Sequence, residues 1–433
     1  MRSTGWGRYP AIETTSYWPA THGALARTLI DLQTPTIARG MGRSYGDASL
    51  ADHLLIMTRL DQFIAFDAER GELRCGAGVT LAACLELTVP RGWFLPVLPG
   101  TGMVTVGGAI AADVHGKNHH HDGSFSEFVE DFEMMLADGS RLTCSRHAHA
   151  ELFQATAGGM GLTGVILAAR LRLKAITSSY IEERMVAADH LDAALALLDE
   201  HAAMPYVVAW IDVNQRGAAQ GRALIMLGAH AAEGGLRARA RRALTVPFDL
   251  PAGLLGRSSA TAFNALYFRL GARRTVARHV HYAQYFFPLD ALQQWNRLYG
   301  GRGFLQHQCV IPPDSAPQAL REMLSTVASS GLASPLAVLK AFGPGNDNLL
   351  SFARAGLTLT MDFAMDAATL ALFARLDDIV VAYGGRIYLA KDACMAQSTF
   401  RRGYPEWENF QALRERYGVS ARFASLQSRR LGL

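Results

Sequence analysis

Ile37–Leu50 reads IARGMGRSYGDASL, and Leu98–Phe125 reads LPGTGMVTVGGAIAADVHGKNHHHDGSF. Both stretches alternate Gly with Ser, Thr and short apolar residues. Such loops let backbone N–H groups come close to an anion without Cβ interference. A lone Gly-rich loop is usually a turn. Here Gly40, Gly42 and Gly46 surround Arg43 and Ser44, and Gly107 and Gly108 lead into a small-residue run. Two such loops in one region predict a ligand with two phosphates and a long body, as in a nucleotide cofactor. The second loop ends in His115, Lys117 and the run His119, His120 and His121. Adjacent residues rarely point to one centre, and no carboxylate cluster accompanies them, so no metal is predicted.

Gly159, Gly161 and Gly164 in GGMGLTG also fit G-x-G-x-x-G. A dinucleotide fingerprint needs a strand before it and a helix after it. The following VILAARLRLKAI has the apolar–polar alternation of a strand. A Rossmann site is therefore not expected there.

The chain has 433 residues, half of them hydrophobic, which is ample for two domains or more. A net charge of +4 does not point to nucleic acid. The N-terminus lacks an apolar signal region, and no run approaches a membrane span. Five cysteines without C-x-x-C spacing read as reduced, buried thiols. These readings predict a cytoplasmic protein. Of 42 Lys+Arg, only Lys117, Lys174, Lys340 and Lys391 are lysines. Where Lys persists in an Arg-rich chain, a compact charge or a titratable amine is indicated, because Arg does not deprotonate.

Up to about residue 178 the chain shows short strands, Gly-rich turns and few long helices. Beyond it, strands alternate with clear helices, the pattern of an α+β second domain. A helix is expected after Asp189 as N-cap, another over Pro288–Tyr299, and others over Ser315–Ser330 and within AATLALFARLDDIVVAYGG. Gly234–His281 interleaves Arg237, Arg239, Arg241, Arg242, Arg257, Arg269, Arg273, Arg274 and Arg278 with apolar pieces. One reading is a solvated loop and helix. The other is a mobile basic–apolar flap beside the substrate entrance, with Phe248, Leu254, Leu255 and Phe268 at a lipid surface.

TGWGR, ARGMGRSYGD, LPGTGMVTVGGAIAADVHGKNHH, GGMGLTG, FLQHQCVIP, LKAFGP and GGRIYLAKD occur in this order. Over nearly the whole chain they resemble the decaprenylphosphoryl-β-D-ribose oxidase family, within the vanillyl-alcohol-oxidase-like FAD superfamily. HGKNHH and YLAKD are the specific strings. The resemblance implies an α+β protein. A two-subdomain FAD-binding domain of PCMH type spans 1–178, a substrate-binding cap with an antiparallel sheet spans 179–385, and 386–433 returns to the FAD domain. FAD would be held by Arg39, Gly40, Met41, Gly42, Arg43, Ser44, Tyr45, Gly46 and Asp47. Gly100, Thr105, Val106, Gly107, Gly108, Ala112 and His115 would line the flavin, Ile166 would back the adenine side, and Tyr388 would close on the cofactor. Arg43 stands where members with covalent flavin carry His, so the FAD is expected to be non-covalent. Phe286 replaces an expected Tyr, and Thr360 an expected Cys.

Lys117, Gln306, Gln308, Lys340 and Phe342 would face the substrate, with Tyr45, His115 and Lys391 catalytic. The implied reaction oxidises the ribose 2'-hydroxyl of a polyprenyl-phosphate pentose. It is the first half of a 2'-epimerisation towards arabinose for the cell envelope, completed by a short-chain reductase at the inner membrane. Lys391 is the leading base, since an amine buried beside other cations has a lowered pKa. Lys117 and Lys340 suit a phosphate as point charges. An oxidase of a free sugar, polyol or aldonolactone is the alternative, and a flavin-binding electron-transfer subunit a further one.

Overall fold

The computed structural model describes residues 1–238, 243–251, 256–274 and 276–433. Arg239, Arg241, Arg242, Leu254 and Leu255, named in the flap reading, lie outside the described residues. Among the described residues the N-terminal part holds a three-stranded and a five-stranded sheet, beside the pairs Arg2–Thr4 with Ala11–Glu13 and Trp93–Phe94 with Lys174–Ala175. Thr36–Arg39, His53–Ile56 and Thr15–Tyr17 form a parallel three-stranded sheet with His53–Ile56 central. Phe63–Asp67, Glu72–Gly76, Val165–Arg172, Val129–Met135 and Arg141–Ser145 form an antiparallel five-stranded one. The strand expected after GGMGLTG is Val165–Arg172, and it is the central strand of that sheet. Leu81–Thr88 is capped by the Thr80 hydroxyl and followed by Gly92 at φ +82, a conformation that suits glycine.

Beyond residue 178 the chain builds an antiparallel eight-stranded sheet. Its order is Arg278–His281, Tyr180–Ala188, Ala223–His230, Tyr206–Ile211, Ala337–Phe342, Gly356–Ala364, Phe304–Ile311 and Arg386–Ile387. Leu191–Glu200, Ala316–Ser329 and Ala367–Ala382 are helices in this part, and their buried positions recur at helical spacing. This is the expected α+β architecture with an antiparallel cap sheet.

Three local expectations are corrected. His190, not Asp189, caps the helix at Leu191, accepting from the Ala193 amide. Pro288–Tyr299 is not one helix. It is two short 3₁₀ turns, Pro288–Ala291 and Trp295–Tyr299, separated by Leu292–Gln293, which pairs in parallel with Leu244–Thr245. Asp290 accepts from the Gly102 amide, and Arg297 donates to the carbonyls of Val246 and Pro247. Those tertiary bonds outweigh the weak helix preference of the segment. Phe268 does not point to solvent; it is half-buried under the Arg222 guanidinium, 4.8 Å away. It belongs to the helix Arg257–Ala272, seated on the sheet by buried Ala260, Asn264 and Gly271. Asn264 donates to Asp212, and a Cβ on Gly271 would meet Leu224 at 2.2 Å.

The C-terminal stretch packs back onto the N-terminal part. Buried Arg414 donates to the carbonyls of Leu162, Ser420 and Phe423. Arg422 donates to those of Leu29 and Leu32, and Arg430 bridges Asp47 and Asp392.

Candidate active site

Between the Gly-rich loops and one face of the eight-stranded sheet lies a cavity of about 1010 Å³. Its first wall is backbone. Arg39–Tyr45, Gly100, Thr105, Gly107 and Gly108 line it. The two loops touch: a Cβ on Gly40 would sit 2.3 Å from Thr105 Oγ1. Thr105 is itself occupied in capping Val106–Ala111. Among the described residues the amides of Met41, Gly42, Arg43 and Ser44 have no hydrogen-bond partner. Gly42 at φ +60 gives this run the left-handed residue that a nest of N–H groups requires, the form that holds a phosphate. Trp6 stacks beneath the Arg43 guanidinium at 4.1 Å, and the buried Arg43 Nε is also unpartnered. A diphosphate-bearing cofactor as long as FAD fits this wall. Ile166, Ala112 and Tyr388 continue it, with the Tyr388 hydroxyl donating to the Ala112 carbonyl at 2.9 Å.

The second wall carries the titratable groups. Three of the four lysines, Lys117, Lys340 and Lys391, meet here, with Tyr45, His115, Gln306 and Gln308. Burial lowers Lys391 to about 8, with Asp362 opposing. Burial, then Lys391 and Lys117, lowers Lys340 to about 7. Burial lowers Lys117 to about 8, with Glu183 opposing. Its ammonium donates to the Tyr285 carbonyl at 2.6 Å and lies 3.9 Å over the Tyr285 ring. Lys391 Nζ lies 3.8 Å over the ring of Tyr45. Lys391 is not paired with its neighbour Asp392, which accepts from Gln427 and Arg430.

His115 stands between Lys340, 3.1 Å from Nδ1, and the Gln308 amide, 2.9 Å from Nε2. Burial, then Lys340, His119 and Lys391, hold it well below its usual range, so it is neutral. A neutral imidazole has one N–H and one acceptor. With Lys340 charged and donating to Nδ1, the ring proton is on Nε2, and the Gln308 amide must turn over to present its carbonyl there. With Lys340 neutral, the proton is on Nδ1 and Nε2 accepts from the Gln308 amide. The protonation of Lys340 is therefore coupled to the tautomer of His115.

Four expected contact residues do not line the cavity. Gly46 packs against the chain instead, where a Cβ would meet the Asp392 carbonyl at 2.0 Å. Asp47 turns away to Arg430 at 2.8 Å. Val106 is a buried helix residue whose amide donates to the Val79 carbonyl. Phe342 lies behind His115, with ring centroids 4.7 Å apart. The His run diverges: His119 packs on Phe342, His120 Nε2 lies 2.9 Å from the Met204 carbonyl, and His121 sits beside Asp122.

The sequence reading missed the remaining wall. Glu183, Met185, Val208, Trp210, Met226 and Val338 come from the same sheet, and Phe263 and Tyr267 from the helix above it. The signal was present as period-two spacing. Gln306 and Gln308 share a face, and Val338 with Lys340, Val208 with Trp210 and Glu183 with Met185 repeat it across the sheet.

Residues 18–145 match the FAD binding domain family, and residues 273–431 the D-arabinono-1,4-lactone oxidase family. The chain is 35% identical over 451 residues to decaprenylphosphoryl-β-D-ribose oxidase of Mycolicibacterium smegmatis, covering 100% of this chain and 97% of the relative. An uncharacterised Streptomyces coelicolor protein is 36% identical over 373 residues, covering 82% of this chain and 100% of its own. Mouse L-gulonolactone oxidase is 31% identical over 134 residues, 31% of this chain and 30% of its own.

Proposed function

The chain belongs to the family of FAD-dependent oxidoreductases that contains decaprenylphosphoryl-β-D-ribose oxidase, and on that premise we propose that it oxidises the ribose 2'-hydroxyl of a polyprenyl-phosphate pentose to a ketone. The observation that carries this reading is the meeting of three lysines and a buried neutral His in a cavity whose far wall carries Met185, Val208, Trp210, Met226 and Val338. The bound isoalloxazine supplies the hydride acceptor. The chain supplies everything else. Lys391, as a neutral amine, takes the hydroxyl proton onto Nζ. Tyr45 and His115 orient the hydroxyl, Gln306 and Gln308 bind sugar oxygens, and Lys117 and Lys340 face the phosphate. Met185, Val208, Trp210 and Tyr267 suit the first isoprene units. We place the FAD-binding part at 1–178, the cap at 179–385 and the returning segment at 386–433.

A reductase partner then completes the epimerisation at the membrane surface. No helix among the described residues is long and apolar enough to cross a membrane. Six of the eleven exposed large apolar side chains recorded among the described residues are Leu244, Phe248, Phe263, Leu266, Leu270 and Val276. Phe263, Leu266 and Leu270 share one face of the helix Arg257–Ala272, which also carries Arg257 and Arg269, has Arg273 and Arg274 just beyond its end, and lines the cavity through Phe263 and Tyr267. Such a basic–apolar patch suits an anionic bilayer.

The test is anaerobic bleaching of the flavin by polyprenyl-phosphoryl pentoses and by free sugars and aldonolactones. The proposal expects the lipid-linked pentose to bleach it faster. The match of residues 273–431 to the D-arabinono-1,4-lactone oxidase family favours a second reading, a soluble-sugar oxidase. Faster bleaching by a free lactone would select it. Bleaching by none of them would leave an electron-transfer subunit.

A further inference from the structure

Thr358 is fully buried and lies outside the cavity, yet it completes a chain of hydrogen bonds that opens on it. On Gly356–Ala364 it is registered opposite Lys340 and diagonal to Gln308, which pairs with Thr360. Lys340 Nζ lies 3.1 Å from His115 Nδ1. His115 Nε2 lies 2.9 Å from Gln308 Nε2, which also donates to Thr358 Oγ1 at 3.2 Å. Both hydrogens of the Gln308 amide nitrogen are thereby used. Its carbonyl oxygen is bonded by no group among the described residues and, unlike that of Gln306, is not sealed in the protein; Gln308 lines the cavity.

We propose that the charge on Lys340 decides which end of the Gln308 amide faces the substrate, so that the site takes an alcohol in either state and a ketone in only one. With Lys340 neutral, the ring proton is on Nδ1, Nε2 accepts from Gln308, and the amide carbonyl faces the cavity. With Lys340 charged and donating to Nδ1, the ring proton is on Nε2. The N–H groups of His115 and Gln308 would then point at each other, so the amide turns over. Its carbonyl now accepts from His115 and from the Thr358 hydroxyl, and its N–H₂ faces the cavity. Thr358 fits both states because a hydroxyl accepts or donates. The proton count closes. As Lys340 passes from charged to neutral, an ammonium proton moves to Nδ1 and the Nε2 proton leaves by the cavity. A sugar hydroxyl can meet either end of the amide. A ketone oxygen only accepts, so opposite the carbonyl it is a desolvated acceptor without a donor.

The groups around this chain of bonds leave Lys340 as its titrating member. Burial first keeps His115 neutral. His119, which packs on Phe342 beside it, is held down to about 3 by burial and then by Lys340. Tyr388, its ring centroid 5.4 Å from that of His115, is raised well above its usual range by burial and then Asp113. Asp113 itself is taken by the Ser126 amide, Asn346, Asn348 and Ser351. Burial, then Lys391 and Lys117, lower Lys340 to about 7, so its charged form is lost as pH rises through that value.

This inference rests on the reading that the cavity turns a sugar hydroxyl into a ketone, and the test separates the two. Nitrogen NMR of the ligand-free, FAD-loaded full chain with labelled histidine reports the tautomer, His115 being assigned by the loss of its signals in His115→Asn. Its two nitrogens are expected to exchange protonated and bare character as pH rises through about 7. One tautomer throughout overturns the proposal, whatever the substrate. On the oxidised holoenzyme, a short-chain prenyl-phosphoryl 2'-keto-pentose is then titrated by flavin absorbance, and the matching alcohol by half-saturation of anaerobic bleaching. Attraction of the phosphate to Lys340 is common to both and cancels in the ratio of their dissociation constants. That ratio, ketone over alcohol, should rise about tenfold from about pH 6 to about pH 8, as the fraction of sites competent for the ketone falls. Gln308→Met removes both ends of the amide and should flatten the step, and so should Lys340→Met. A flat or falling ratio in the parent, or a step of the same size in Gln308→Met, overturns the proposal. An alcohol that never bleaches the flavin would sink the substrate reading and leave the tautomer measurement to decide this one.

Discussion

Replacing Lys391 with Arg separates the charge of this side chain from its ability to lose a proton. The amine titrates at about 8, held down by burial. About one-tenth of it is then neutral near pH 7 and about nine-tenths near pH 9. If the neutral amine takes the hydroxyl proton, the rate of flavin reduction rises roughly ninefold over that interval and then levels. The sign is fixed: the reactive form of a base appears as pH rises through its pKa. A guanidinium stays protonated throughout. Lys391→Arg should therefore lose the benefit of a positioned base, about 10²–10⁴-fold or roughly 3–5 kcal/mol. It should also lose the pH dependence. Lys391→Ala should be as slow, with an unchanged flavin spectrum, because its side chain lies over the Tyr45 ring and is not part of the amide run Met41–Ser44. The assay is anaerobic stopped-flow reduction with a bleaching substrate across pH. An Arg variant within a few-fold of the parent, with or without the pH slope, would refute the base and leave an electrostatic role.

Three further outcomes are expected. The purified protein should be yellow and release its FAD to the supernatant on acid precipitation, since Arg43 replaces the His of covalent members; colour that stays in the pellet would reject this. Gly46→Ala should lower stability by roughly 1–3 kcal/mol in thermal or urea unfolding, because a Cβ would lie 2.0 Å from the Asp392 carbonyl; an unchanged midpoint would show that the chain yields there. Binding to anionic liposomes should be salt-sensitive and drop sharply in Leu266→Asp/Leu270→Asp, with each basic residue near the bilayer contributing roughly 1 kcal/mol; unchanged sedimentation would make that helix face an ordinary surface.

Much of the fold was legible where the chemistry is local. The strand after GGMGLTG betrays itself by alternation, the helices at Leu81 and Ala367 by the caps Thr80 and Asp366, and that at Ala316 by the stop glycine Gly331. The Gly-rich loops announce an anion because glycine and free amides are read directly from composition. The scarcity of lysine was the most useful hint to the site, since Lys117, Lys340 and Lys391 prove to share one cavity. What stayed hidden is set by long-range pairing. The turns of Pro288–Tyr299 answer to Gly102, Val246 and Pro247, which local helix signals do not report. Gly46 and Asp47 sit in a phosphate-loop motif but serve the tail, a role that depends on Asp392 and Arg430. Thr358 looks like any buried strand residue until its register with Lys340 is known.

The same pairing explains how Lys391, the proposed base, comes within reach of a cofactor loop more than three hundred residues earlier in the chain. Lys391 lies in a turn whose amides at Lys391 and Asp392 both donate to the Tyr388 carbonyl at 3.0 Å. The next link is direct: the Tyr45 amide donates to the Ala390 carbonyl at 3.0 Å, so the phosphate loop and the lysine turn share a backbone bond. Arg430 then ties Asp392 to Asp47, just beyond that loop. Each partner in this chain of bonds is buried or half-buried, where a lost partner leaves an unsatisfied group and costs more than the bond itself contributes. Movement of the phosphate loop is therefore coupled to movement of Lys391. Under the proposed role of Lys391 as base, a cofactor held at Met41–Ser44 fixes the position of that base as well.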